Sequence, residues 1–389
     1  MNGAPRTRRV RTEKAREYEV ALVDGILQPG ARPLAERIGS RRALVVTTPT
    51  VARLYARQIH RSLVHGNPQV SLFVLECDER AKSLDQVVLI CDRALECGLD
   101  RRGLLVGLGG GVCTDLVTMA ASWIRRGIDY IRVPTTLIGL VDSGIGIKGG
   151  LNHRGKKSYL GCFHPPGSAL LDVGFLPTLP PRHVRSGLAE IVKVGLASDA
   201  RLFQRVETHW PEFFSDRRSS ATAAVRRTIW RSTVRLLQDL EANLYEDRSS
   251  ERLSDLGHTF SPLLEAASGF ELPHGEAVAI DMALSATIAS RLGLLREADR
   301  DRILDLLAKI GLPLWSRALT PALCRRALEE AVLHRGGCPN LVVPVGIGAA
   351  TFIRSIETIP LREIEAALSI LEDMVTEAPG STERASGPS

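Results

Sequence analysis

Glu190, His258 and His274 are a possible metal-binding set in this chain. Glu190 stands in GLAEIVK, His258 in LGHTF and His274 in LPHGEAVA. One carboxylate and two imidazoles suit Zn2+ or a similar cation with an open coordination position. HExxH does not occur, and an isolated histidine is equally readable as a hydrogen-bonded or surface residue, so residue types alone leave both readings open. Asp142, Lys148, Lys157 and Lys193 are polar groups in glycine-rich or apolar settings. Glu190 and Lys193 stand three apart and share a helix face. A lysine beside a metal ligand would serve an anionic substrate; the alternative is a surface ion pair. Lys148 follows Gly144 and Gly146, and a glycine loop ending in lysine suits phosphate, although GxxxxGK[ST] is absent. Asp255, three before His258, would orient that histidine, bind a substrate hydroxyl or stand as a solvated helix charge.

The elements that must position these groups begin with GLLVGLGGGVCTD. Leu104 to Val106 reads as a buried strand, broken at Gly109-Gly110-Gly111 and followed by a helix over about 115–124. Strand, glycine turn and helix can present amides and a helix N-terminus to a pyrophosphate; the alternative is a tight turn needing positive φ. Upstream, residues 17–31 read as a strand or hairpin, 43–48 and 70–75 as strands, and 51–63 and 83–95 as helices. Residues 130–133 are another strand, closed by Pro134. Alternating strands and helices imply an α/β layer with a parallel sheet, whose ligands sit beyond the carboxyl ends of the strands. Past about residue 180 the pattern turns helical, with helices over 182–196, 200–207, 220–241, 254–267, 275–292, 297–310 and 321–333. A late strand is expected over 340–345. The implied division is a basic disordered tail at 1–16, an α/β domain at 17–180, a helical domain at 181–377 and a disordered tail at 378–389.

At 389 residues and 44% hydrophobic composition, two domains with sizeable cores are expected. Residues 1–16 hold six cations and one acid, so they carry +5 of the formal +6 and the rest is near +1. A nucleic-acid role would need a basic face and stacking aromatics on the folded part, and neither shows. No uncharged apolar run of about 18 residues occurs, so no membrane span is expected. The basic N-terminus has no apolar segment behind it and does not read as a secretory signal. Seven scattered cysteines without CxxC favour a reduced, cytoplasmic setting.

Together the motifs resemble a family. GGGVxxD, RVPTTLxGLVDSGIGIK, FLxTLPxR, SGLAEIVK, LGHTF and HGEAVA occur in the order found in sugar phosphate cyclases, whose best-known member is 3-dehydroquinate synthase. The resemblance runs from about residue 40 to 350. It implies an N-terminal Rossmann-like α/β domain with a parallel sheet, a mostly α-helical C-terminal domain, and a site in the cleft between them. It also implies NAD, a divalent metal (Zn2+ or Co2+) and a homodimer. By that resemblance Glu190, His258 and His274 are metal ligands. Gly110, Gly111 and Asp115 form the pyrophosphate turn, Glu79 and Lys82 an ExxK pair on the cofactor, and Thr135 and Thr136 its nicotinamide-side threonines. Phe175, Thr178, Leu179 and Arg182 fall on a stretch that helps line the cofactor site. Asp142, Lys148, Lys157 and Lys193 hold substrate and phosphate, with Asp142 and Lys157 also serving the cofactor.

The departures point to a branch. Where dehydroquinate synthases carry Arg and Asn before GHT and a His after it, this chain has Glu251, Asp255 and Pro262. No cation occurs from Gly336 to Ile353, where a lysine would be expected. A site stripped of cations should not prefer a carboxylated sugar, because an unpaired buried charge is costly. GLVDSGIGIK and CFHPP look like the 2-epi-5-epi-valiolone synthase branch, which cyclises sedoheptulose 7-phosphate. Thr48, in place of an acid that can grip the adenine-side ribose, and Ser158, in place of the common Asn after the phosphate lysine, depart from the family pattern. The expected reaction is transient NAD-dependent oxidation, phosphate elimination, reduction and aldol closure. The rivals are 3-dehydroquinate synthase, a cyclase giving 2-epi-valiolone or valiolone, a metal-dependent alcohol dehydrogenase of the glycerol dehydrogenase type, and a non-enzymatic scaffold.

Overall fold

The computed structural model describes residues 17–64, 67–215, 221–249 and 251–376. The tails expected to be disordered, at 1–16 and 378–389, lie outside these residues. Ten strands are present among them: β1 (Glu19–Val23), β2 (Ala43–Thr47), β3 (Val70–Val74), β4 (Leu104–Gly109), β5 (Asp129–Pro134), β6 (Lys148–His153), β7 (Lys156–Phe163), β8 (Ser168–Asp172), β9 (Leu341–Gly346) and β10 (Ala349–Ile353). Helices α1 (Arg32–Ile38), α2 (Pro49–Ile59), α3 (Leu84–Glu96), α4 (Gly111–Trp123) and α5 (Leu137–Val141) alternate with the early strands. Then follow α6 (Pro181–Ser198), α7 (Ala200–His209), α8 (Ala223–Glu241), α9 (Ser261–Ala267), α10 (His274–Arg291), α11 (Glu297–Ile310), α12 (Pro321–His334) and α13 (Leu361–Thr376).

The expected parallel sheet is there. Six strands lie in the order β1-β8-β5-β4-β2-β3, every pairing parallel. β2, β4 and β8 are buried along their whole length; β2 and β4 therefore read as apolar runs, whereas β8, SALLD with a polar residue at each end, went unread. Chain order reverses between β2 and β4, so the carboxyl ends of those two strands open a crevice at the switch point. Two apolar layers sandwich the sheet, one around Leu34, Ile59 and Val106, the other around Ile90, Leu116 and Val117.

Residues 17–31 contain no hairpin. β1 pairs with β8 alone, and the chain then turns at Gly25, at φ +59°, into α1, which Pro33 opens. The antiparallel hairpin of β6 and β7 went unread, because glycines 149, 150 and 161 erase the alternation a strand normally displays. Arg154 and Gly155, both at positive φ, make its turn. β10 and α13 were also unread.

The helical part is built round α10. Fourteen of its residues are buried, so it has no polar face and forms the axis of the larger core. α6 crosses it, buried from Gly187 to Ala197. No helix among the described residues is long and apolar enough to cross a membrane.

Candidate active site

On the face of α6 that Glu190 and Lys193 share, Lys193 lines a cleft of about 1940 Å3 between the sheet's carboxyl edge and the helices, and Glu190 lies buried just behind it. Both side chains are almost wholly buried, at 1% and 2% exposure, and Lys193 Nζ lies 2.6 Å from Glu190 Oε2. This is an interior pair, not a surface one. His274 is the first residue of α10. It reaches Glu190 because Gly275 lets α10 close on α6: a Cβ there would fall 2.1 Å from the Ser186 carbonyl oxygen. The Gly275 amide instead donates to Ser186 Oγ at 2.9 Å. His274 Nε2 then sits 3.3 Å from Glu190 Oε1.

His258 is not inside a helix, as the pattern over 254–267 had implied. The chain makes one 3-10 turn at Leu253–Asp255, breaks at Gly257 (φ +77°), and resumes as α9 only at Ser261. His258 hangs from that loop with its ring 5.2 Å from the His274 ring. One donor atom from each of Glu190, His258 and His274 lies within 4.8 Å of the others.

Several observations fit a cation at this point. Neither Glu190 carboxylate oxygen makes a well-angled hydrogen bond despite its burial. His274 Nδ1 faces Glu265 Oε1 at 2.9 Å, and His258 Nδ1 faces the Leu256 carbonyl at 3.2 Å. Each ring therefore keeps Nε2 as its metal-facing donor, the arrangement that zinc histidines adopt with an outer carboxylate or carbonyl. Burial pushes His258 down to about 3, with Lys193 adding to it. Burial and Lys157 also oppose charge on His274, yet Glu265 and Glu190 hold it up at about 9. Burial raises the Glu190 carboxyl, but Lys193 and the two imidazoles outweigh that and hold it well below its ordinary value. Glu190 is thus held as a carboxylate and His258 as a neutral imidazole, the forms in which these side chains can ligate a cation.

On the sheet side, the glycine turn leads into α4 with Gly110 as N-cap and no side chain capping it. The first amides of α4 are left for a ligand. None of Gly109, Gly110 or Gly111 has positive φ, so the turn reading fails. Their role is close approach: a Cβ on Gly109 would meet Cys113 Cβ at 2.6 Å. Gly110, Gly111, Asp115, Glu79, Lys82 and Thr136 line the cleft together. Lys82 Nζ, 4% exposed, lies 2.5 Å from Asp115 Oδ2, and Glu79 Oε1 accepts from Asn152 Nδ2 at 2.9 Å. Thr136 caps α5, and the buried Thr135 ties β5 to β4 through its amide and the Gly109 carbonyl. This cradle fits a dinucleotide pyrophosphate. Phe175, Thr178 and Leu179 lie elsewhere, on and just beyond a 3-10 turn, with Phe175 edge-on to Tyr55 and the Thr178 hydroxyl 2.8 Å from the Tyr55 hydroxyl. Arg182 forms a two-pronged bond to Glu276. Replacing Lys82 by methionine should raise the Kd for NAD+ about tenfold, the worth of one charged hydrogen bond, when measured by calorimetry on the metal-free protein.

Asp142, Lys148, Lys157 and Asp255 complete the cleft lining. Lys157 Nζ lies 2.6 Å from Glu265 Oε2 and 3.1 Å from His274 Nδ1. Asp142 caps α5 close to Glu190 and Lys193, and burial followed by the Glu190 charge raises its carboxyl. Lys148 opens β6 with its side chain half exposed to the cleft; desolvation, then Arg252, lowers it to about 8. The loop between Asp142 and Lys148 is pinned by Arg132, wholly buried, whose guanidinium donates to the carbonyls of Ser143 (2.7 Å) and Lys148 (2.6 Å).

The site is not stripped of cations. Arg252 and Arg335 both line it, the latter standing one residue before the cation-free stretch. Their charges are engaged: Arg252 Nη2 lies 2.9 Å from Asp255 Oδ1, and Arg335 Nη2 lies 3.6 Å from Asp255 Oδ2. Arg252 and Lys148 also pair with Glu246. Glu251 turns to the surface in a two-pronged pair with Arg354. Thr48 and Pro262 face the cleft, as does Ser158, whose amide bonds Asn152 Oδ1. Glu265, Arg132, Arg252 and Arg335 were missed from the sequence. For Glu265 a signal existed, an acid inside the otherwise apolar PLLEAA.

Known proteins share this architecture. Sequence models of the 3-dehydroquinate synthase N-terminal and C-terminal domains match residues 72–186 and 187–331. A 2-epi-5-epi-valiolone synthase of Streptomyces albus is 41% identical over 374 residues, 94% of this chain and 90% of that protein. A 3-dehydroquinate synthase of Prochlorococcus marinus is 33% identical over 352 residues, 88% of this chain and 94% of that protein. The structure of ValA, a 2-epi-5-epi-valiolone synthase from Streptomyces hygroscopicus subsp. jinggangensis 5008 with NAD+ and Zn2+ bound, superposes with a TM-score of 0.88 at 41% identity, covering 94% of this chain and 99% of that one.

Proposed function

This chain belongs to the 3-dehydroquinate synthase family, and from that premise we propose that it is a sugar phosphate cyclase converting sedoheptulose 7-phosphate to 2-epi-5-epi-valiolone and phosphate. The observation that carries the choice within the family is the Asp255 carboxylate, set in the cleft with Arg252 and Arg335 committed to it. A substrate carboxylate arriving there would meet an anion and find the arginines already paired. A hydroxymethyl group can donate to Asp255 instead. An uncompensated buried charge costs several kcal/mol, enough to reject the acidic sugar. Greater likeness to the valiolone synthases than to the dehydroquinate synthase supports the same choice.

Glu190, His258 and His274 hold the divalent cation, Zn2+ or Co2+; Gly110, Gly111, Asp115, Glu79, Lys82, Thr135 and Thr136 hold NAD+. When bound, the cation supplies Lewis acidity at the substrate's oxygens and NAD supplies a reversible hydride acceptor. The chain's own residues do the rest. Lys193, with Lys148 and Lys157, gathers the phosphate and stabilises its departing charge. Asp142 and Asp255 orient hydroxyls by accepting their protons in hydrogen bonds. Arg132 keeps Lys148 in register, so the sugar is presented in one pose. We assign residues 17–180 to the NAD-binding unit and 181–377 to metal and substrate. The family resemblance supports a homodimer, and the seven unpaired thiols suit the cytoplasm.

The test is phosphate release from sedoheptulose 7-phosphate and from the carboxylated heptulosonate phosphate of the dehydroquinate synthases, side by side with NAD+ and Zn2+. The neutral-tailed sugar should win in kcat/KM by at least about a hundredfold, the size of the charge penalty. A preference for the acidic sugar would overturn the assignment. NMR of the product fixes its stereochemistry.

A further inference from the structure

Helix α10 carries His274 as its first residue and Asp281 two turns further along the same side, seven positions on. Asp281 is wholly buried in the apolar run AVAIDMALS. Its Oδ2 accepts from three consecutive amides, Thr259 (2.9 Å), Phe260 (2.6 Å) and Ser261 (2.9 Å). Its Oδ1 accepts from Ser285 Oγ at 3.1 Å. The first of those amides belongs to the residue directly after His258. On the other side of His258, Gly257 lies against α10 so closely that a Cβ would come within 2.9 Å of Val278 Cγ1. His258 is therefore held at both flanks by the helix that starts with His274.

We propose that Asp281 is a positioning residue for the metal site: it fixes the His258 loop to α10 and so sets the spacing of the two imidazoles. A buried carboxylate on three amides is costly unless those bonds are kept, so the loop is locked rather than merely docked. The geometry explains how a ligand on a loop can be as well placed as one on a helix. It also explains why an acid sits inside a helix with no polar face. The inference rests on the metal reading of Glu190, His258 and His274.

The test is zinc affinity by competition with a chromophoric chelator, on parent, Asp281→Asn and Ser285→Ala, with the visible spectrum of the Co2+ form as the record of ligand geometry. Asp281→Asn, which weakens the charge-assisted bonds that hold the His258 loop to α10, should bind zinc about tenfold more weakly and shift the cobalt bands. Ser285→Ala should lose a few-fold. A purely structural role would lower the melting temperature of the metal-free protein yet leave the zinc affinity and cobalt bands of the folded fraction unchanged. Zinc affinity in folded Asp281→Asn within twofold of the parent, with identical bands, would overturn the proposal. Should that variant not fold, Ser285→Ala decides: parent-like affinity overturns the proposal and weakened affinity supports it. A parent that binds no stoichiometric zinc would fail the metal reading itself.

Discussion

Glu190→Gln should retain shape and lose turnover by roughly a thousandfold, because Lewis-acid stabilisation worth several kcal/mol depends on the cation this carboxylate anchors. Of the three proposed ligands it alone has no outer hydrogen bond, its carboxylate oxygens facing Lys193 and His274. Glutamine conserves volume but brings an N–H against the imidazoles and Lys193. Zinc content should fall below stoichiometry, and excess Zn2+ should not restore the parental rate. Phosphate-release kinetics and metal analysis on the same sample check both. Parental turnover in a verifiably metal-free variant would remove the cation from the account.

Lys193→Met should lower kcat by about a hundred- to a thousandfold, the usual loss for one preorganised donor at a developing anion, while zinc and NAD+ still bind. Burial works against the lysine's charge, but Glu190 and Asp142 beside it hold its ammonium above the ordinary range, so it stays cationic as phosphate departs. A second readout is stability. Removing one partner of a buried pair costs about 3–5 kcal/mol, because the Glu190 charge is left uncompensated. That cost should appear in the metal-free variant and shrink once Zn2+ is added. A melting temperature equally depressed with and without metal would show that Lys193 does not share Glu190 with a cation. Parental phosphate release would end its catalytic role.

The α/β layer was legible because buried parallel strands are uninterrupted apolar runs, and β2 and β4 announce themselves that way. The hairpin of β6 and β7 was not, since its glycines serve close packing: a Cβ on Gly149 would meet Thr118 side-chain carbons at 2.9 Å. Glu190, His258 and His274 could be nominated from residue type and from family motifs, but no sequence spacing places a loop histidine against a helix N-terminus. Gly275 lets α10 close on α6, and Asp281 accepts the amides that follow His258, so the placement depends on contacts remote in sequence. The reading of a cation-poor cleft failed for a related reason. Arg252 and Arg335 are far apart along the chain, and only folding brings both onto Asp255. A charge count along one strand could not see that neutralisation.

The central claim is a redox step that leaves no net oxidation. One incubation of the purified protein with sedoheptulose 7-phosphate, NAD+ and Zn2+, followed by NMR while absorbance at the NADH band is recorded, tests it most directly. The account predicts phosphate and a cyclic seven-carbon ketone in equal amounts over many turnovers, with no accumulation of NADH beyond the enzyme concentration. NADH rising in step with an acyclic product, its phosphate still attached, would contradict it.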